Sequence, residues 1–238
     1  MAVIKGGQAV YGAEIGIVML DCRFPRPLGD PGNARSFIYP VQYEIVNRIK
    51  SGDLTHRETE DAVQKLLQAA EGLEENGCKS IATSCGLLLP HQKQMAERLE
   101  VPVASSALLL LPLLLNLIGA RKKVAVIVSS KTDAVVDYLS KLPDGQKERC
   151  ILFSMEHSPE FMRGIMSGIP PFQFDGERIE RELTELCEAS KEKYPDIGIF
   201  LLECTNLAPY SRTIRKKLEL PVFDILGLID LLHSGVET

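Results

Sequence analysis

The 238-residue chain has no tryptophan, 6% aromatic residues and no block of like charge. Each shortage excludes something. Without a Lys/Arg block, and with a net charge of -5, the bulk electrostatics repel phosphate backbones, so nucleic acid is not an expected partner. The most apolar stretch, Ala107 to Gly119, is interrupted by Pro112 and Asn116 and falls short of the roughly 18 residues a membrane span requires. It reads as a buried helix or a subunit-interface helix, compatible with a homo-oligomer, and no membrane partner is expected. Near the N-terminus Lys5 is followed by Glu14 and Asp21, which break up any signal-peptide core. Six cysteines are too few for a disulfide scaffold, and none forms a C-x-x-C or C-x-x-H pair. Free thiols and a cytoplasmic location are the expectation. The four histidines, His56, His91, His157 and His233, have no metal-ligand spacing. Neither G-x-x-x-x-G-K nor G-x-G-x-x-G occurs, so nucleotide binding has no positive signal and no metal is expected; a lysine Schiff base with pyridoxal phosphate leaves no such motif, but a duplication within the chain offers a complete chemistry without a cofactor.

What is present is ordinary globular usage, 45% hydrophobic and 25% charged residues, enough for a real core. Short apolar runs alternate with segments of helical spacing, which predicts an α/β fold with parallel sheets covered by helices. Seven strands are expected: Ile15 to Leu20, Ser80 to Cys85, Val101 to Ser105, Val124 to Ser129, Ile151 to Met155, Ile197 to Cys204 and Pro221 to Ile225. The clearest helices run from Glu58 to Asn76 and from Glu177 to Tyr194, each with one apolar face. Between Asp21 and Pro40 a loop rich in proline and glycine leaves the C-terminal end of the first strand. Open α/β sheets bind ligands at that end, so it is a candidate substrate loop, the alternative being a stiff surface connection.

Self-comparison shows a duplication. At an offset of 119 residues, Ile81 to Val103 aligns without a gap on Phe200 to Val222, with seven identities in 23 positions, among them Cys85 with Cys204 and Pro90 with Pro209. Each copy reads as a buried strand ending in Cys, a turn with proline, a basic amphipathic helix and then L-E-x-P-V. Two pseudo-symmetric lobes follow, each a small parallel sheet flanked by helices, with a cleft between them. The lobes are expected at residues 1–118 and 119–226, with a C-terminal helix at 227–238 packing back on the first lobe.

In that arrangement Cys85 and Cys204 both stand where a strand turns into a helix. Unpaired N–H groups and the helix dipole there favour an anion, so the expectation is a thiol pKa below its usual value of about 8.5. Two acid/base groups on opposite sides of one carbon can remove a proton from one face and return it to the other without any cofactor. The developing carbanion would be stabilised by helix-end amides and by hydroxyls such as Thr83 and Ser84 beside the first thiol, and by Thr205 and Asn206 beside the second. Cys78, Cys150 and Cys187 read as small buried hydrophobes. Cys22 lacks a counterpart in the second half and is left out of the pair.

These residues resemble the aspartate/glutamate racemase superfamily, which includes hydantoin racemases, maleate isomerases and arylmalonate decarboxylases. C-T-N at Cys204 to Asn206 is similar to the family's second C-T motif, and S-S-K-T at Ser129 to Thr132 to its hydroxyl-rich carboxylate-binding turn. The resemblance implies a cofactor-independent isomerase acting on an amino acid or a related small carboxylate. It also implies Cys85 and Cys204 as the catalytic pair and Ser129, Ser130 and Thr132 as substrate-binding residues. Where glutamate racemases carry C-N-T, Gly86 and Leu87 follow Cys85, and their D-S-G opening is replaced by Asp21, Cys22 and Arg23. Arg23 could hold a second carboxylate by a bidentate pair or be a surface arginine. Two alternatives stay open: a maleate-isomerase-like enzyme with one nucleophilic thiol, and a two-lobed protein that binds a small carboxylate without transforming it.

Overall fold

The computed structural model describes residues 6–50, 53 and 59–237; Lys5, His56 and Glu58 lie outside them. The described strands form two parallel four-stranded sheets. The first consists of β1 (Ile15–Leu20), β2 (Val41–Val46), β3 (Ser80–Thr83) and β4 (Val103–Ala104), in the order β2-β1-β3-β4. The second consists of β5 (Lys123–Val128), β6 (Cys150–Ser154), β7 (Ile197–Leu202) and β8 (Val222–Phe223), in the order β6-β5-β7-β8. The orders are identical, so the duplication extends from one segment to whole sheets.

Seven of the strands coincide with the expected runs: β1 in full, β5 and β6 shifted by one residue toward the N-terminus, and the other four trimmed at their ends. The eighth, β2, lies outside those runs. It pairs with β1 from Ile15 opposite Val41 to Leu20 opposite Val46. It is an edge strand directly after the proline-rich loop, and Gln42, Glu44 and a half-exposed Ile45 dilute its apolar signal. The helices fall close to expectation, as α1 (Glu60–Glu75), capped by the Thr59 hydroxyl, and as a longer helix at Gly176–Lys193, capped by Asp175. Each cap contributes about 1 kcal/mol.

Burial on both faces of each sheet sorts the strand residues by parity. Ile15 and Ile17 of β1, Val124, Val126 and Val128 of β5, and Ile199 and Leu201 of β7 meet in one central core between the sheets. Val18 and Leu20 face outward into a cluster with α1. Ala125, Ile127, Phe200 and Leu202 do the same with the Gly176–Lys193 helix. The C-terminal helix, Ile225–Ser234, inserts Ile225, Leu228 and Ile229 into the central core beside Ile15 and Ile17. In the leucine-rich helix at Leu111–Leu117, Leu111, Leu114 and Leu115 are buried while Leu113 and Leu117 are exposed.

The duplicated segments have the same local form. After each strand-end cysteine comes a six-residue 3-10 turn, Gly86–His91 or Thr205–Tyr210, with its proline at the fifth position. Only then does the α-helix start, at Gln92–Arg98 and Ser211–Leu218. The lobes are tied at this level, where the Thr205 hydroxyl donates to the Ser84 carbonyl at 2.7 Å. Gly29 of the proline-rich loop, at φ +99°, lies against Pro209; a Cβ there would come within 2.7 Å of the proline Cα. The loop from the first lobe thus rests on the turn of the second. No helix among the described residues is long and apolar enough to cross a membrane.

Candidate active site

A cleft of about 300 Å³ lies at the C-terminal ends of β1 and β3. The loop after β1 contributes Asp21, Cys22, Arg23, Phe24 and Arg26, and the end of β3 contributes Ser84 and Cys85. The second lobe closes it with Met166, Ser167, Gly168, Phe172 and Asn206. Met166 ends a π-helical turn, Met162–Met166, an irregularity that turns this segment toward the cleft. Deeper in, a cavity of about 30 Å³ is lined by Cys85, Gly86, Ser129, Met166, Glu203, Cys204, Thr205 and Asn206. Its size suits one or two water-sized groups, such as a carboxylate or a methylene. Cys85, Met166 and Asn206 border both spaces, and Cys204 borders only the inner one.

The two duplicated cysteines therefore meet at one buried space. Their ionisation differs from expectation. Burial pushes the Cys85 thiol up to about 12, with the Leu87 amide opposing and the charges of Glu203 and Cys22 adding. Burial raises Cys204 still further, and the Glu203 charge adds to it, against the Asn206 amide and side chain. The helix-end effect is present, since amides two residues on reach each sulfur. Desolvation outweighs it, since Cys204 is buried and Cys85 is only partly exposed at the cleft wall. The resting site holds thiols, not thiolates.

The hydroxyls divide into two groups. The Thr83 hydroxyl donates to the Ser105 carbonyl at 2.8 Å and also lies 3.2 Å from the Cys85 carbonyl, and it borders neither space. Thr205 borders the inner cavity, but its proton is committed to Ser84. Ser84, buried at the cleft wall, accepts from the Leu20 amide at 3.4 Å. In the Ser129 to Thr132 turn only Ser129 lines the inner cavity; Ser130 borders neither space, and Thr132 caps the Asp133–Ser140 helix. Asn206 places its amide nitrogen 3.8 Å from the Cys204 sulfur. Arg23 is two-thirds exposed at the cleft rim and pairs with Asp21 at 2.8 Å. Arg26, mostly buried, pairs with the buried Asp30 at 3.0 Å and stacks over Phe24. No group of three or more potential metal ligands occurs among the described residues.

Sequence reasoning missed Glu203, which immediately precedes Cys204 and is fully buried. Neither carboxylate oxygen has a hydrogen-bond partner of good geometry. Burial raises this carboxyl to about 7, with the Ser106 hydroxyl offsetting part of the effect. A signal exists in the sequence: a lone Glu closes the apolar strand IGIFLL, and a glycine occupies position 86. A Cβ on Gly86 would overlap the Glu203 carboxylate and come within 2.6 Å of its carbonyl oxygen. The missing side chain after the first cysteine makes the room for Glu203.

No family model matches the chain. Among curated proteins it is 29% identical over 232 residues to a dimethylsulfoniopropionate lyase of Durusdinium sp. clade D, covering 94% of this chain and 75% of that protein. It is 28% identical over 228 residues to dimethylsulfoniopropionate lyase 7 of Emiliania huxleyi, covering 90% of this chain and 64% of that protein. Against the latter the chain spans less than two thirds of the relative's length. Among solved structures, allantoin racemase from Klebsiella pneumoniae superposes with a TM-score of 0.61 at 16% identity, over 94% of this chain and 87% of that one. An aspartate racemase homologue from Pyrococcus horikoshii gives a TM-score of 0.59 at 17% identity, over 92% and 98%. Glutamate racemase from Francisella tularensis, solved with D-glutamate, gives 0.57 at 16% identity, over 94% and 80%. With its two like-ordered parallel sheets and its cleft at their C-terminal ends, the chain has the fold of the aspartate/glutamate racemase superfamily.

Proposed function

We propose that this enzyme removes the proton α to the carboxylate of a small substrate and expels a β-substituent, as a lyase acting on dimethylsulfoniopropionate or a close sulfonium analogue. The observation that carries the reading is the buried cavity shared by Cys85 and Cys204 at the inner end of a substrate-sized cleft, in a chain whose curated relatives are lyases along nearly its whole length. Atom balance is simple. The Cα–H bond breaks, its electron pair forms the Cα=Cβ bond, and the Cβ–S bond breaks with its pair going to sulfur. The products are acrylate, neutral dimethyl sulfide and one proton held by the base.

Cys204 is assigned as that base. A carbon acid next to a carboxylate ionises far less readily than a thiol, and a desolvated thiolate of high pKa is the better-matched acceptor. Cys85 faces the substrate from the cleft side, and the Asn206 amide holds the Cys204 sulfur. A zwitterionic substrate suits the mixed lining of the cleft. Phe24, Phe172 and Met166 offer aromatic and sulfur surfaces to a sulfonium group, and Arg23 stands at the rim for a carboxylate.

The two-thiol symmetry favours a second reading, a racemase of an amino acid or related carboxylate, which begins with the same deprotonation and ends by returning a proton from the opposite thiol. Headspace gas chromatography for dimethyl sulfide, paired with chiral chromatography on acidic amino acids and hydantoins, separates the two. Dimethyl sulfide release supports the lyase, racemised product supports the second reading, and silence in both assays overturns the shared α-deprotonation step.

A further inference from the structure

Glu203 is a buried carboxyl group with no counter-cation among the described residues, and it lines one cavity with the two thiols that carry the proposed chemistry. Three independent features bring it there. It ends β7 directly before Cys204; it lines the inner cavity with both thiols; and Gly86 withholds the Cβ that would fill its place. Its two oxygens have no hydrogen-bond partner of good geometry, although it is completely shielded from solvent. A structural carboxylate at such a depth is normally matched by donors or by a cation. An unmatched one costs stability, which gives it a place among groups retained for their proton.

We propose that Glu203 is the proton acceptor that ionises Cys204, taking the Sγ proton through one water in the inner cavity, which both residues line and which has room for it, so that a thiolate forms without adding a second negative charge to the cavity. In this transfer the S–H bond breaks with its electron pair left on sulfur, and an O–H bond forms on Glu203. The buried charge is one before and one after. Loss of the thiol proton to solvent with Glu203 already ionised would instead leave two like charges side by side in a poorly solvated space, which is the costlier state. After Cys204 has taken the substrate's α-proton, it is a thiol again, and Glu203 resets by releasing its proton to water. Glu203 acts through Cys204 and is a positioning residue in the sense that it governs that sulfur's protonation. The inference rests on the proposed role of the thiols but does not depend on which carboxylate is the substrate.

The groups that titrate or carry charge around this set are few. Cys204 and Cys85 respond to Glu203, while Cys22 and Arg26 act on Cys85 and not on Glu203. Burial holds the Glu203 carboxyl near 7, so its ionisation should gate thiolate formation close to neutral pH.

The test is the pH dependence of alkylation of Cys204 by iodoacetamide in the intact protein, read by peptide mass spectrometry, which requires no substrate. The wild-type rate should rise through about pH 7, level off, and rise again only at strongly alkaline pH. Glu203→Gln should lose the step near 7 and react at least tenfold more slowly at pH 8, and Glu203→Asp should restore the step. A wild-type profile with a single alkaline rise overturns the proposal without recourse to any variant, so the test stands even where Glu203→Gln folds poorly. A Glu203→Gln profile that keeps the step, within twofold of the wild-type rate, overturns it as well. If the step is present and no dimethyl sulfide is released, the substrate assignment fails and the Glu203 inference stands.

Discussion

Replacing Glu203 by glutamine should shift the stability difference toward the variant as pH rises, while impairing the chemistry of the site. The carboxyl is raised from the ordinary 4.5 to about 7, and each tenfold change in proton affinity is worth about 1.4 kcal/mol. Ionising it in the folded protein therefore costs ~3 kcal/mol more than in the unfolded chain. A folded-state pKa above the unfolded one means that the native state binds more protons between the two values. Wild-type stability from this group is then fully present below about pH 4.5 and is lost as pH rises through about 7. Glutamine has the same shape and does not titrate. Any cost of burying its amide is the same at every pH, so the informative quantity is the change in the difference between the two proteins. Urea unfolding at pH 4.5 and 8.5 should show that difference moving by ~3 kcal/mol in favour of Glu203→Gln, or roughly 6–12 °C in Tm for a chain of this length. A difference that stays constant across this range, or one that moves in favour of the wild type, would refute the reasoning that Glu203 is an unmatched buried carboxyl.

Cys204→Ser and Cys85→Ser should each lower turnover by about 100-fold or more, the range for loss of a positioned acid or base, while circular dichroism and the Tm change little, since serine is nearly isosteric. Gly86→Ala should destabilise by about 1–3 kcal/mol, because the new methyl meets the Glu203 carboxylate and its backbone carbonyl; a thermal melt unchanged within 1 °C would contradict that packing. Thr205→Val removes the bond that joins the two lobes at Ser84, leaves a buried carbonyl unpaired and should cost about 1–3 kcal/mol in urea unfolding. Arg23→Ala should alter stability by less than about 1 kcal/mol, as an exposed ion pair predicts, but raise KM severalfold for a carboxylate substrate in steady-state assays.

Much of the architecture is open to reading in one dimension. Alternation of apolar runs with helical segments is a local signal, and the parity of β1, β5 and β7 already encodes two buried faces. The offset of 119 residues relates Cys85 to Cys204 without coordinates, because duplicated segments keep their strand-end residues in equivalent places. β2 escapes because an edge strand buries little and its polar residues resemble the loop before it. The chemistry of the site is a different matter. Whether the Thr83 and Thr205 hydroxyls face a ligand or a carbonyl depends on chains more than twenty residues away, and no spacing rule reports that. The helix ends alone give the wrong sign for the thiol shift, since the amides are local but the exclusion of water is collective. Glu203 is the clearest case. Its neighbour in sequence is Cys204, but the space it occupies is granted by Gly86 in the other lobe, so its meaning exists only once the two halves are packed. Local pattern determined the elements and their repetition; the packing of lobe on lobe decided which groups are dry, and dryness controls where the protons reside.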